Sequence, residues 1–267
     1  MPDGKERTGA RALRTLYANE APTGLGEATL DAIRRSVGTR PRQCLVAITL
    51  LLGLSAAVAM TAAVQPDDRT FATLSDPVQS LMSVTVPFLG ILLARDLHRA
   101  PRAARLTPTL LAATLLAAVI GVFGVMVCAA ALAVASSDTA QDPWRHAGTI
   151  AVGSVLVQVV AQLVGTGLGL LLRSPVVAFL ASIVLPLGLW FVLGGVDVLR
   201  PAQAWLTPYA TARNLLSGRM SAVAWAQWLV VLLIWCVGLN AAGAGRLKRW
   251  KPTGGPAPEA PTHSSGR

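Results

Sequence analysis

The chain has 267 residues, of which 53% are hydrophobic and only 13% are charged, and its mean hydropathy is +0.56. Because soluble domains carry about a quarter charged residues, this chain has too little charge to cover a water-soluble fold. Disorder requires low hydrophobicity and is excluded for most of the chain. The net charge of +10 is spread over gaps between apolar stretches, which argues against a nucleic-acid partner. The composition therefore indicates an integral membrane protein.

The two ends of the chain differ from its middle in composition. Residues 1–27 mix charged residues with glycine and proline, and residues 251–267 are rich in proline and glycine. We expect both segments to be mobile cytoplasmic tails, because such segments bury too little apolar surface to fold. Between them, residues 28–250 form the predicted transmembrane domain.

A short amphipathic helix is predicted at residues 28–37. Its apolar residues recur at helical spacing, and its basic residues occupy the remaining faces. This pattern favours a helix lying on the membrane surface just before the first span, although a solvated helical turn is an alternative interpretation. The apolar positions are Leu30, Ile33 and Val37, and the basic positions are Arg34 and Arg35.

Six stretches of 18 to 32 residues contain no Asp, Glu, Lys, Arg or His. About 20 residues of helix cross a hydrocarbon core of about 30 Å, whereas barrel strands would alternate over segments of about ten residues. The sequence therefore predicts an all-α integral membrane protein with six transmembrane helices. The stretches are 43–66, 77–94, 106–137, 147–172, 174–196 and 220–245.

The distribution of basic residues predicts the orientation. Eighteen of the 23 lysines and arginines lie in the N-terminal segment, the 95–105 loop, the turn at Arg173 and the C-terminal segment, and five lie in the other loops. Because cytoplasmic segments carry the excess of Lys and Arg, both termini are predicted to be cytoplasmic. The predicted location is a membrane that the chain crosses several times.

The longest connection between spans, residues 197–219, carries the aromatic residues Trp205 and Tyr209. Aromatic side chains are enriched at membrane interfaces. We interpret this connection as a short interfacial helix or a re-entrant turn, with an ordinary loop as the alternative.

The spans contain few polar groups. No Asp, Glu, Lys, Arg or His lies in the core of a stretch, which argues against proton coupling, because such groups are costly in a membrane and usually functional there. Gln158 and Gln162 share a helix face, and Gln227 lies near the start of the sixth span. Gly165 and Gly169 form a GxxxG pattern that allows close helix approach. These five residues are predicted either to pack helices or to line a pathway.

No catalytic or cofactor chemistry is predicted. The chain has neither an HExxH motif nor a GxxxxGK[ST] loop, so it lacks the motifs that hold zinc for proteolysis or cradle the phosphates of ATP. Its three cysteines show no metal-ligand spacing. We therefore expect no enzyme activity, no metal site and no cofactor in this chain.

Three segments suggest a family. Residues 96–105 begin with an acidic residue and continue into a basic stretch. Residues 165–175 combine a Gly-rich helix end with an arginine-containing turn, and residues 205–208 read Trp-Leu-Thr-Pro. With these features, residues 28–250 resemble the membrane-spanning permease subunit of ABC-2 type ABC transporters. The chain departs from that family at Ala100-Pro101, where the family has Gly-Thr.

The resemblance implies an exporter built from several chains in a bacterial plasma membrane. Six spans would be half of the pathway, so a second permease chain, identical or different, would complete it within the lipid membrane, and a separate ATPase subunit would hydrolyse ATP. The 28–37 helix and the 95–105 loop would dock that ATPase, although the loop's charge is also explained as a topology signal alone. The implied docking residues are Arg34, Arg35, Arg95, Asp96, His98, Arg99, Arg102 and Arg105.

Two other functions stay open. One is a non-transporting membrane protein such as a sensor, assembly factor or immunity protein, and the other is an ATP-independent carrier or channel. A P-loop ATPase encoded beside the gene would favour the exporter.

Overall fold

A computed structural model describes residues 24–99, 106–135, 142–218 and 220–249. The described residues form helices and connecting turns and contain no strand. Six of the helices are long and apolar enough to cross a membrane, which confirms the predicted all-α architecture with six spans. In chain order the helices are α1 (Leu25–Val37), α2 (Arg40–Ala63), α3 (Phe71–Arg99), α4 (Leu106–Ala135), α5 (Ala147–Leu171), α6 (Pro175–Gly195), α7 (Arg200–Leu206), α8 (Pro208–Leu216), α9 (Ala222–Val231) and α10 (Leu239–Arg249).

The last span combines three helical segments. A π-helical turn at Leu232–Gly238 joins α9 to α10, so that the span runs without a break over Ala222–Leu247. The other five spans are α2 to α6.

The helices extend beyond the charge-free stretches. The stretch 77–94 is the middle of α3, which runs on through Asp76 at one end and Arg95 at the other. Charged residues interrupt a hydropathy count but not the backbone hydrogen-bond ladder, since their side chains point away from it. The second span is therefore 29 residues long and not at the short limit for crossing a bilayer.

Serine and proline fix where several helices begin. Ser174 Oγ accepts a hydrogen bond from Val177 N at 3.4 Å, and Ser221 Oγ accepts one from Ala224 N at 3.1 Å. Both are N-cap bonds, which satisfy backbone donors that have no helical acceptor. Pro175 and Pro208 occupy first positions of helices, where the missing N–H costs nothing.

Helices α3 and α5 form the centre of the bundle. They lie so close together that there is no room for larger side chains between their backbones. A Cβ atom added to Gly165 would lie 2.6 Å from Pro87 Cα, and one added to Gly169 would lie 2.8 Å from Ala94 Cβ. On the opposite helix, a Cβ atom at Gly90 would lie 2.7 Å from Thr166 Oγ1. Small residues at these positions allow the two backbones to pack closely, as in other membrane helix pairs.

The connection 197–219 contains two short helices, α7 and α8, that form a hairpin entering the bundle. At one end of the hairpin, Gln203 Nε2 donates to Trp190 O at 2.8 Å, and near its tip Leu206 O accepts from Trp235 Nε1 at 2.8 Å. At a rise of 1.5 Å per residue, Trp235 lies about 20 Å along the last span. The hairpin therefore reaches the interior level of the spans.

Helix α1 packs along α4, with a smaller contact to α2. Its buried residues are small, namely Ala28, Thr29, Ala32 and Ser36, and Leu30 is exposed. A helix thus lies at the predicted position and begins at Leu25, and its amphipathic character stays a prediction. Its position on a membrane surface, like the cytoplasmic placement of the termini, stays a prediction.

Candidate functional site

The central cavity is an opening of about 330 Å³ among α3, α5, α6, α8 and α9. Its walls are mostly apolar and include Val160, Leu187 and Trp228. The α3 and α6 residues that line it lie in the middle of their helices, so the cavity lies midway between the ends of the bundle. Its polar lining residues are Ser80, Ser83, Ser182, Tyr209, Thr211 and Arg213.

Two of the residues that line this cavity are prolines within helices. Pro87 in α3 and Pro186 in α6 both line it. A proline has no N–H, so the carbonyl four residues earlier lacks its usual helical donor. These carbonyls belong to Ser83 and Ser182, which line the same cavity. Two backbone carbonyls without a helical donor therefore belong to residues that line the cavity.

The electrostatic character of the central cavity depends on one cation. Its lining contains Arg213, from α8, and no Asp, Glu, His or Lys within the described part of the chain. The opposed spans supply only hydroxyls and apolar side chains. Such a surface suits an amphipathic ligand, and it offers no carboxylate that would take up and release a proton.

The buried glutamines lie between α3 and α5 and do not line the central cavity. Gln158 Nε2 donates to Gln79 Oε1 at 2.9 Å and to Gln79 O at 3.0 Å. In the amide orientation that satisfies both groups, Gln162 donates to Val86 O at 2.6 Å and accepts from Gly90 N at 3.2 Å. We call these contacts the polar seam. Both amides therefore make contacts between α3 and α5, and the choice between the two predicted roles stays a prediction.

The other three residues that were predicted to pack helices or line a pathway are placed differently. Gly165 and Gly169 face α3, as described above, and extend the contact between α3 and α5. Gln227 is half-buried in α9 and belongs to neither the polar seam nor the lining of the central cavity. Gln79, which is fully buried, was missed in the sequence, although it lies within a charge-free stretch and carries the same kind of amide.

A second opening, the basic cavity, lies where α3 ends and α6 begins. It encloses about 250 Å³ and is lined by Arg95, His98 and Arg99 of α3 and by Arg173 of the α5–α6 turn. The structure thus brings three of the predicted docking residues together with an arginine from another turn. Arg102 and Arg105 lie outside the described residues.

Asp96 faces a different neighbour. Its Oδ2 accepts a hydrogen bond from Arg42 at 2.8 Å, and Arg42 also donates to Leu92 O at 3.0 Å and to Arg35 O at 2.8 Å. We call this set of contacts the Arg42 junction. It ties the last turn of α1 and the start of α2 to the end of α3. This contact was not predicted from the sequence, because Arg42 was only one of the basic residues that precede the first span.

The basic residues of α1 are on its exposed side. Arg34 and Arg35 are both exposed in its last turn, and Arg35 Nε donates to Asp31 O at 3.2 Å. Basic residues near a helix C-terminus also interact favourably with the helix dipole. These side chains are accessible to a partner at the end of the bundle where α1 lies.

The described residues contain no group of three or more His, Cys, Asp or Glu side chains arranged to hold a metal ion. Comparison with protein-family models, with curated proteins and with solved structures finds no match to this chain.

Proposed function

We propose that this chain is the membrane-spanning permease subunit of an ATP-driven ABC exporter. In this proposal it forms half of a translocation pathway with a second permease chain in a bacterial plasma membrane. A separate ATPase subunit docks at the end of the bundle formed by α1 and the end of α3. The substrate moves through the central cavity.

The observation that carries the proposal is the placement of α3. Its middle lines the central cavity at Ser80, Ser83 and Pro87, and its end is fixed to α1 through Arg42. A force applied at α1 is therefore transmitted to a helix that lines the cavity. This is the connection that a transporter needs when a separate subunit supplies the energy.

The chemistry of the chain agrees with an external energy source. The described lining of the central cavity has no carboxylate or histidine, which are the groups that proton-coupled carriers use within the membrane. The sequence has no GxxxxGK[ST] loop, so ATP must bind to another chain. A non-transporting role would leave the cavity and its link to α1 without a use.

The test begins with the genes beside this one, among which the proposal expects a P-loop ATPase, and continues with reconstitution of the two chains. We expect the two chains to co-purify, and we expect ATP turnover in proteoliposomes to require both. The isolated chain serves as the control and should neither bind nor hydrolyse ATP. Stoichiometric ATP binding by the isolated chain would contradict the proposal. So would an ATPase encoded beside the gene that does not bind to this chain.

A further inference from the structure

The basic cavity is lined by basic side chains from two parts of the bundle. Arg95, His98 and Arg99 come from the last turns of α3, and Arg173 comes from the turn that precedes α6. No carboxylate is among the residues that line this cavity in the described chain. Guanidinium groups bind phosphate oxygens in a bidentate manner, so the cavity has the chemistry of a phosphate site.

The acidic residue next to Arg95 in the sequence does not pair with Arg95 or Arg99. Asp96 lies between Arg95 and Leu97 in α3, but its carboxylate is paired with Arg42 at 2.8 Å. Within the described residues, the ion pairs are Arg42–Asp96 and Arg200–Asp197, and neither involves Arg95 or Arg99. The two α3 arginines at the cavity therefore have no ion-pair partner from the described chain.

The walls of the basic cavity are held in place. His98 Nε2 and Gly169 O are 3.3 Å apart. Since a carbonyl oxygen can only accept, His98 Nε2 is the donor of this hydrogen bond. Beside it, a Cβ atom at Gly169 would lie 2.9 Å from Ile91 Cα, so α3 and α5 are in direct contact there. A site built on two closely packed helices is preformed, which reduces the cost of ordering it around a ligand.

An apolar surface continues from the basic cavity along α6. Pro175 lines the cavity and begins α6, and Val176, Val177 and Leu180 are exposed in the next turns. Apolar side chains exposed on a membrane-spanning helix face the acyl chains of lipids. A cation cluster beside such a surface matches a phospholipid with an anionic headgroup, and basic pockets between membrane helices bind such headgroups.

We propose that the basic cavity binds the phosphate of an anionic phospholipid whose acyl chains lie along α6. This inference is independent of the proposed transport function, since it needs neither ATP nor a partner chain. An arginine-rich end that served only as a topology signal would not need three arginines and a histidine lining one cavity. Soluble phosphate and an acidic partner protein are the competing ligands.

The experiment uses the full chain in nanodiscs made from equal amounts of phosphatidylglycerol and phosphatidylcholine. Native mass spectrometry counts the lipids retained by the protein. We expect enrichment of phosphatidylglycerol on the wild-type chain. Losing one arginine should weaken that preference about fivefold, and losing two about 25-fold. The test variants are the double substitution Arg95→Gln with Arg99→Gln and, on a different segment, Arg173→Gln alone.

The matched control is Arg249→Gln. Arg249 is exposed near the end of α10 and does not line the basic cavity, so this change removes the same charge without touching the site. Its lipid preference should equal that of the wild-type chain. If the control loses as much as the test variants, or if all variants keep the wild-type preference, the proposal is overturned.

Two further arms separate the possible ligands. Excess inorganic phosphate should leave the bound phosphatidylglycerol in place, because the acyl chains contribute to binding, and complete displacement would reassign the cavity to soluble phosphate. An ATPase subunit that co-purifies with the chain should likewise bind without removing the lipid. Loss of the lipid when that protein binds would reassign the cavity to an acidic protein surface.

Discussion

The guanidinium of Arg42 and the carboxylate of Asp96 form an ion pair at 2.8 Å across 54 positions of sequence. The Arg42 side chain is only 10% exposed, whereas that of Asp96 is 39% exposed. Removing one partner of such a pair leaves the other charge partly desolvated, which costs more than the net gain of forming the pair. The pair therefore holds the start of α2 against the end of α3.

The first prediction concerns the stability of this junction. Asp96→Asn should lower the free energy of unfolding by about 1–2 kcal/mol, between the values for a shielded and an exposed charged pair. Arg42→Met should cost more, because it also removes the donors to Leu92 O and Arg35 O. The measurement is unfolding in detergent, with the double variant completing a cycle. Additive losses would show that the two residues do not interact.

The second prediction asks whether Asp96 acts on the ATPase directly or through Arg42. If it acts through the junction, Arg42→Met and Asp96→Asn should reduce transport-linked ATP turnover to a similar extent, and the double variant should add little. If Asp96 contacts the ATPase itself, Asp96→Asn should abolish co-purification while Arg42→Met preserves it. Both variants need reporter fusions that show unchanged topology.

The third prediction concerns the contact between α3 and α5. Gly165→Ala should destabilise the chain by about 1–3 kcal/mol, the usual cost of overpacking, because the added methyl group would meet the backbone of Pro87. Gly188→Ala in α6 is the control, since a Cβ atom there has nothing within 4 Å. The control should be neutral or slightly stabilising. Equal effects of both changes on thermal unfolding would contradict this reading of the α3–α5 contact.

The fourth prediction concerns the polar seam. Gln158→Leu removes the bond from Gln158 Nε2 to Gln79 Oε1 and should cost about 0.6 kcal/mol, and no more than about 1.7 kcal/mol, as for other hydrogen bonds between membrane helices. Gln227→Leu should cost less, because Gln227 is half-buried and outside the seam. Unfolding of both variants in the same detergent tests this. A larger loss for Gln227→Leu would assign the important amide to α9 instead.

The fifth prediction concerns the central cavity. Ser83→Trp should fill it and reduce transport-linked ATP turnover, with little change in thermal unfolding. Leu81→Trp is the control, because Leu81 is exposed on the same helix and does not line the cavity. Turnover that survives Ser83→Trp unchanged would exclude this cavity from the pathway.

Part of the candidate site was readable in the sequence. Gln158 and Gln162 stood out because amides are rare in apolar helices, and their four-residue spacing placed them on one face. Their hydrogen-bond partners could not be predicted. Gln79 lies 79 positions before Gln158, and no local sequence pattern links two residues so far apart. Arg42 was equally hidden, because a basic residue before a span is explained by topology alone until its partners on α3 are known.

The sequence by itself determined the class and the number of spans. A stretch of about 20 residues without charge has to be a helix in a hydrocarbon layer, and this is a local property that composition reveals. The tertiary structure alone decided which faces meet, because helices that are apolar all round carry no periodicity that marks their inner side. It therefore decided the close approach of α3 and α5, the entry of the α7–α8 hairpin into the bundle, and the separation of Asp96 from its arginine neighbours at the basic cavity. Each of these depends on packing between segments that are distant in the chain.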